Sequence, residues 1–129
     1  MPNPLSLYDF LGQAIQFRVA NDQPVGCANE DQLMLQRELI REEYWEFRTA
    51  LDIYGYNKYN DHECLKELAD LVYVCFQYAV AAGWELDEAL DRVHKSNMSK
   101  LVNGKPLKDE NGKVQKGPNY QPPFLEDLA

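Results

Sequence analysis

The stretch from Glu30 to Tyr54 contains neither glycine nor proline and consists largely of strong helix formers. Apolar side chains recur along it at close to helical spacing, at Leu33, Ile40, Phe47, Leu51 and Tyr54. A run of this kind predicts one long amphipathic helix that ends near Gly55. Any fold proposed for the chain has to accommodate this helix.

Three further segments have helical patterns and are separated by loops at Asn21–Ala28 and Tyr56–Asp61. The predicted helices run from Leu7 to Val19, from His62 to Ala82 and from Asp87 to Ser96. We therefore predict an all-α fold with a bundle of four to five helices. The 129 residues are expected to form one domain, with core helices at about 7–100 and a C-terminal arm at about 101–129.

The third predicted helix is apolar over most of its circumference. A helix of this kind must be buried, and in so short a chain we expect another subunit to cover part of it, in a homodimer or homotetramer. Its apolar run, Leu68 to Trp84, is interrupted by Asp70, Gln77 and Gly83. The interruptions favour a buried helix over a membrane span.

The arm differs in composition from the rest of the chain. An Asn111-Gly112 pair predicts a small hairpin between about 106 and 114, and prolines beyond Gly117 indicate an extended segment. The range 95–116 contains only two acidic residues, Asp109 and Glu110. It contains six of the 13 basic residues: Lys95, Lys100, Lys105, Lys108, Lys113 and Lys116. Such a segment either binds phosphates or is a solvated tail.

Charge and cysteine content exclude several classes of protein. A formal net charge of −8 argues against a protein that binds duplex nucleic acid. Cys27, Cys64 and Cys75 are odd in number and irregularly spaced, which indicates neither a disulfide framework nor a structural zinc site. No signal peptide is visible in Met1 to Leu7, so we expect a cytoplasmic protein.

Two carboxylate pairs carry the strongest chemical signal. Glu43 with Glu46, and Glu67 with Asp70, are each spaced by three residues, so each pair lies on one helix face. If the two helices are antiparallel, the pairs can converge, and a hard divalent cation would then offset their repulsion. Oxygen ligands alone favour magnesium or manganese.

The alternative is that Glu42, Glu43 and Glu46 form the solvated face of a charged helix, paired with Arg37, Arg41 and Arg48. Glu67 and Asp70 weigh against it, because charges in an otherwise apolar helix need compensation. Asn97 and Lys100, three residues apart at the end of the fourth helix, are further candidates. Asn97 can contact a sugar hydroxyl or a metal-bound water, and Lys100 a phosphate.

The segment Glu42-Glu-Tyr-Trp-Glu46, a gap of twenty residues and Glu67-Leu-Ala-Asp70 together form an EExxE…ExxD signature. With Val93-His-Lys-Ser-Asn-Met-Ser-Lys100 and the glycine- and lysine-containing tail, it resembles the MazG-like all-α nucleoside triphosphate pyrophosphatases. The similarity covers roughly residues 7 to 125. Within the family it is greatest to the branch termed phosphoribosyl-ATP pyrophosphohydrolase-like.

This resemblance implies a Mg²⁺-dependent enzyme, with Mn²⁺ able to substitute and two or more ions per site. It implies that Glu43, Glu46, Glu67 and Asp70 are metal ligands and that Glu42 supports them. Glu43 or Glu46 would also act in catalysis as proton acceptor. The substrate-binding residues would be Asn97, Lys100 and Lys116.

The implied reaction converts a nucleoside triphosphate to the monophosphate and pyrophosphate. Similarity to the phage MazZ type implies (d)GTP as substrate and, for a phage-encoded protein, the host cytoplasm as location. Phosphoribosyl-ATP hydrolysis and a non-catalytic module that binds metal-nucleotide remain alternatives. A di-iron or di-manganese protein is a further one, suggested by Asp91-x-x-His94, although no Glu-x-x-His motif accompanies it.

Overall fold

A computed structural model of the chain describes residues 8–26, 29–55 and 57–129. These residues form four α-helices, a short 3₁₀ helix at Lys58–Asn60 and one small antiparallel sheet. The elements are α1 (Phe10–Ala20), α2 (Glu30–Tyr54), α3 (Asp61–Ala82), α4 (Leu86–Met98), β1 (Leu107–Lys108) and β2 (Val114–Gln115). The predicted all-α fold is confirmed.

Capping side chains explain where the first two helices begin. The Asp9 carboxylate accepts the Gly12 N–H at 2.9 Å, so α1 starts at Phe10, and the predicted start at Leu7 lies outside the described residues. The Asn29 side chain accepts the Gln32 N–H at 3.0 Å before α2. Both predicted ends of α2 are confirmed.

The other helices are slightly longer than predicted. Helix α3 begins at Asp61 instead of His62, directly after the 3₁₀ turn within the predicted Tyr56–Asp61 loop; Tyr56 itself lies outside the described residues, as do Cys27 and Ala28 of the first loop. Helix α4 extends beyond the predicted Asp87–Ser96 by one residue at its start and two at its end. Gly83, with a φ of 79°, ends α3 as predicted.

The chain forms two compact units, Met1–Trp84 and Glu85–Ala129. In the first unit α3 packs against both α1 and α2. Residues late in α2 lie beside residues early in α3, as with Tyr54 and Glu63, so these two helices are antiparallel. The buried apolar residues of this unit are mostly small: Ala14, Ala50, Cys64, Phe76, Ala79, Val80 and Ala81.

One apolar face of α3 is open in the first unit. Leu65 is 65% and Val72 46% exposed, and both line a groove of about 350 Å³ together with Phe10 and Phe76. The predicted apolar character around α3 is therefore present, but the described chain covers only part of it. None of the described helices has the length and apolar content needed to cross a membrane.

The second unit contains the predicted hairpin. Leu107 pairs with Gln115 and Lys108 with Val114 in an antiparallel register. The Asp109 carboxylate stabilises the turn by accepting the N–H groups of Asn111 and Lys113, both at 2.9 Å. The hairpin carries exposed lysines on a short, rigid turn.

The C-terminal segment of this unit is attached to α4. Arg92 binds Asp127 through both guanidinium nitrogens, at 2.6 and 3.1 Å, and the Ser96 hydroxyl donates to the Gln121 carbonyl at 2.7 Å. Leu128 is buried. The segment is extended as predicted and has defined side-chain contacts along its length.

Gly117 allows the arm to pass close to the end of α4. Its N–H donates to the Lys100 carbonyl at 3.1 Å, and a Cβ at this position would lie 2.6 Å from the same oxygen. Any side chain here would force the backbone apart, so the contact requires glycine.

Candidate functional site

Three of the predicted metal ligands meet between α2 and α3. Glu43 and Glu46 lie one turn apart on α2, and Glu67 faces them from the antiparallel α3. One carboxylate oxygen from each lies within 4.8 Å of the others, and no other group of this kind occurs within residues 8–26, 29–55 and 57–129. We refer to these three residues as the carboxylate cluster.

The cluster concentrates negative charge in a partly buried place. Burial raises the pKa of the Glu43 carboxyl, and the neighbouring Glu46, Asp70 and Glu67 raise it further. The Oε2 atoms of Glu43 and Glu67 are shielded from solvent and have no hydrogen-bond partner in the described chain. Charged acceptors left in this state are costly, so the arrangement favours binding of a cation.

The donor atoms suit a hard divalent ion. Mg²⁺ and Ca²⁺ bind oxygen at roughly 2.0–2.6 Å, which places ligands on opposite sides of one ion about 4–5 Å apart. The donor oxygens of the carboxylate cluster are no more than 4.8 Å apart, so one ion can contact all three. Because all donors are carboxylate oxygens, the site fits magnesium or manganese better than zinc.

Asp70, the fourth predicted ligand, lies beside the cluster with a different partner. Its Oδ2 is 2.8 Å from the Lys66 ammonium, which also lies 3.5 Å from Oε1 of Glu67. The hydrogen bond to Asp70 is the main cause that raises the pKa of Lys66 to about 12. The sequence analysis missed Lys66, although its spacing of four residues from Asp70 is typical of a helical ion pair.

The arginines of α2 do not neutralise the cluster. Arg37 and Arg41 pair with Glu38, at 3.9 and 3.7 Å, and Arg48 lies over the Trp45 ring at 5.5 Å. The arginine pairs that the solvated-face alternative requires are therefore made by Glu38 and not by Glu43.

Glu42 points to another surface of α2. It is exposed and lines a shallow groove with Glu38, Arg41 and Trp45. It contributes no oxygen to the carboxylate cluster. Any support that it gives the site is therefore indirect.

Glu43 and Asp70 also line a cavity of about 270 Å³ among α1, α2 and α3. Three glutamines line it as well, Gln23, Gln36 and Gln77, of which Gln36 and Gln77 are only 2% and 4% exposed. We call this the amide cavity. The only signal of it in the sequence was Gln77, a polar interruption of the apolar run in α3.

A second cavity, of about 460 Å³, shares Glu46 and Glu67 with the cluster. Its other walls include Trp45, Ile53 and Tyr54, so we call it the aromatic cavity. The sequence could not indicate which aromatic residues lie near the carboxylates. The structure places Trp45 and Tyr54 at one cavity and Tyr73 at the other.

The remaining candidate residues belong to the second unit. Asn97 is exposed in the last turn of α4, and its carbonyl accepts the Lys100 N–H at 3.2 Å, so these two residues are neighbours. The Lys116 ammonium lies 4.8 Å from the Tyr120 ring centroid. Asp91, of the Asp91-x-x-His94 pattern, pairs with Lys95 at 2.8 Å, and it belongs to no metal-binding group within the described residues.

Comparison with known families identifies the family of the chain. The family model described as phosphoribosyl-ATP pyrophosphohydrolase matches residues 8–97, more than two thirds of the chain. The chain belongs to this family. The phosphoribosyl-ATP pyrophosphohydrolase family is part of the MazG-like all-α superfamily, so the predicted resemblance is confirmed. No curated protein matches the chain.

Membership of the phosphoribosyl-ATP pyrophosphohydrolase family supports a pyrophosphohydrolase activity. The family is typically metal-dependent, and the carboxylate cluster on α2 and α3 lies within the matched region. The match ends at Asn97, so Lys100 and Lys116 lie beyond it.

Proposed function

We propose that the chain is a Mg²⁺-dependent nucleoside triphosphate pyrophosphohydrolase that hydrolyses the bond between the α- and β-phosphates. The carboxylate cluster carries this proposal, because two of its buried oxygens have no partner and lie on the helices that the family model matches. Mn²⁺ would substitute for Mg²⁺, since both prefer oxygen ligands.

Glu43, Glu46, Glu67 and Asp70 would hold the metal, with two or more ions per site and Glu42 in a supporting role. Bound magnesium would neutralise phosphate charge and lower the pKa of the attacking water. Lys66 lies 2.8 Å from the Asp70 carboxylate, so a metal ion that takes Asp70 as a ligand would displace the ammonium. Asn97, Lys100 and Lys116 would bind the substrate's sugar and phosphates.

In the proposed reaction a water oxygen forms a bond to the α-phosphorus, and the bond from that phosphorus to the α–β bridging oxygen breaks. Pyrophosphate leaves with the electron pair of that bond. Glu43 or Glu46 accepts the proton of the water. Because its pKa is raised, Glu43 is a stronger base than an ordinary carboxylate.

We propose (d)GTP as the first substrate to test, on the basis of the similarity to the phage branch that acts on guanine nucleotides. We also propose a homodimer or homotetramer. The open apolar groove on α3, lined by Leu65 and Val72, supports an assembly because a second copy would remove it from water.

Hydrolysis of phosphoribosyl-ATP is a second candidate, favoured by the description of the matched family. It would use the same carboxylates and break the same kind of bond. A module that binds metal-nucleotide without hydrolysis is the remaining alternative.

The deciding experiment incubates the purified protein with the eight common ribo- and deoxyribonucleoside triphosphates and with phosphoribosyl-ATP, with and without Mg²⁺ or Mn²⁺. Ion-exchange chromatography then separates the products. Metal-dependent formation of monophosphate and pyrophosphate is the expected result. Diphosphate and phosphate would contradict the assigned bond, and binding without turnover would favour the binding module.

A further inference from the structure

Three polar side chains lining the amide cavity each have a buried oxygen without a partner. They are Oε1 of Gln36, Oε1 of Gln77 and Oε2 of Glu43. Buried polar atoms in folded proteins are nearly always hydrogen-bonded, and three exceptions around one cavity are unusual. The cavity is therefore equipped with acceptors that a bound molecule could satisfy.

The orientation of the Gln77 amide follows from its other contact. Its Nε2 donates to the Ala14 carbonyl of α1 at 3.3 Å, and a carbonyl can only accept. The amide nitrogen must therefore face α1. The free group of Gln77 is an acceptor, which requires a donor on any ligand.

The size and walls of the cavity suit a single flat ring system. Its volume of about 270 Å³ is slightly below the roughly 300–1,000 Å³ of pockets that hold whole drug-sized ligands. Phe17, Leu39 and Tyr73 provide apolar walls, while Gln36 and Gln77 are the buried neutral polar groups beside the less buried Gln23. Few polar groups in an apolar pocket are typical of a site that fixes ligand orientation.

The amide cavity and the carboxylate cluster share Glu43, and Asp70 lines the cavity beside it. A nucleotide with its ring between the glutamines would thus have its phosphates directed toward the carboxylates. We infer that the amide cavity is the nucleobase subsite and that Gln36 and Gln77 determine base specificity by accepting N–H hydrogen bonds. This inference rests on the proposed function.

Two acceptors on residues that line the cavity match a base that presents two donors. Guanine does so through N1–H and its exocyclic amino group, whereas uracil and thymine present one N–H. The aromatic cavity offers Trp45 and Tyr54 for stacking, but its acidic groups, Glu46, Glu63 and Glu67, are suited to cations. The amide cavity is therefore the better site for reading a base.

The test uses Gln36→Met and Gln77→Met, which keep the side-chain length and remove the acceptor. Gln16→Met, at an exposed glutamine of α1, is the matched control. With Mg²⁺ present, kcat/KM is measured for nucleoside triphosphates that carry each of the four nucleobases. Each variant is expected to lower the preference for the best base about tenfold, the effect of one hydrogen bond, while the control leaves it unchanged.

Thermal unfolding without nucleotide gives a second readout. Removing the unsatisfied Gln36 acceptor should leave the midpoint unchanged or raise it, whereas Gln77→Met also removes the donor to the Ala14 carbonyl and should lower it. A lower midpoint in Gln36→Met with unchanged base preference would show that this glutamine binds structural water, and would overturn the inference. Loss of preference in Trp45→Leu, with preference retained in both glutamine variants, would place the base in the aromatic cavity and also overturn it.

A measurement on the unmodified protein separates this inference from the proposed function. Guanosine has no phosphate, so its binding requires neither metal nor turnover. A shift of the Gln77 side-chain amide resonance on addition of guanosine would support the subsite even if no triphosphate were hydrolysed. No shift would overturn the subsite even if hydrolysis and its metal dependence were confirmed.

Discussion

Glu43 and Lys66 set the electrostatic state of the site. Glu43 is one of several converging carboxylates, and Lys66 is the single cation that the described chain places against Asp70 and Glu67. One ammonium group cannot compensate four acidic side chains. The metal-free protein therefore retains repulsion that a divalent ion would relieve.

We predict that Glu43→Gln lowers the rate of hydrolysis at least about 100-fold, because one of the proposed metal ligands is lost. The fold should persist, and the metal-free variant should unfold at a higher temperature than the parent because repulsion is reduced. Steady-state assays and thermal unfolding check both outcomes. Glu38→Gln, on the same helix but paired with Arg41, is the control; unchanged turnover in Glu43→Gln would refute the site.

The raised pKa of Glu43 also fixes the sign of a pH effect. The folded protein holds this proton more tightly than the unfolded chain, so stability without metal should fall as the pH rises above the ordinary value of 4.5. Glu43→Gln should flatten the decline. Denaturant unfolding across this range, in the presence of a chelator, measures it.

Lys66→Met should strengthen metal binding, because the ammonium competes with the ion for Asp70 and Glu67. We expect Kd for Mn²⁺ to decrease about threefold to tenfold, with the modest size reflecting solvent exposure of the pair. Calorimetric titration provides the measurement, and Lys58→Met, at an exposed lysine before α3, the comparison. Weaker binding in Lys66→Met would show that the lysine assists the site.

At the scale of elements, helix ends were predictable where local chemistry determines them. Asn29 caps the start of α2, and Gly55, with a positive φ, ends it. Both effects depend only on residues close in the sequence. The 3₁₀ turn at Lys58–Asn60 was not predicted, although the Asn57 side chain caps it by accepting the Tyr59 N–H at 3.0 Å. The carboxylate pairs were predictable from helical spacing, whereas Gln36 gained its importance only when three helices packed around it.

Helix α4 offers a test of what holds the C-terminal segment. Arg92→Met removes the bidentate pair with Asp127, so amide exchange at Leu128 should rise about tenfold or more. Lys95→Met removes an ion pair within α4 alone and should have no such effect. Hydrogen exchange followed by NMR distinguishes the two, and equal protection in both variants would assign the attachment to other contacts.

The same pair should respond to acid. The hydrogen bond from Arg92 holds the pKa of Asp127 below its ordinary value of 3.8. The contact therefore contributes its full stability above that pH and loses it as the pH falls toward the lower, folded value. Peptic cleavage after Phe124, followed between pH 5 and pH 2 at about one-unit steps, should increase only below the ordinary value.

For the whole molecule, the decisive property is the open apolar face of α3. Many large apolar side chains of the first unit are exposed, while its buried core consists mainly of alanine, valine and one phenylalanine. A domain with so small a core gains stability when a partner covers such a face. The sequence predicted this need from α3, but it could not indicate how much of the helix α1 and α2 would leave uncovered.

We predict that Val72→Glu reduces the assembly to monomers, because a charge would be buried in the contact. Sedimentation should show a dimer or tetramer for the parent protein. Leu90→Glu, at a half-exposed residue of α4 outside the groove, should retain the parent's assembly. A parent protein that sediments as a monomer would contradict both this prediction and the proposed oligomer.

Glu43 is common to the carboxylate cluster and the amide cavity. A cation bound to the Glu43 carboxylate would change the charge and position of the oxygens that a ligand in the amide cavity contacts. The two proposed binding equilibria would therefore be thermodynamically linked, and each ligand would shift the affinity of the other by the same factor. The magnesium concentration that half-saturates the protein would then not be a fixed constant, and it would depend on how much nucleotide is present.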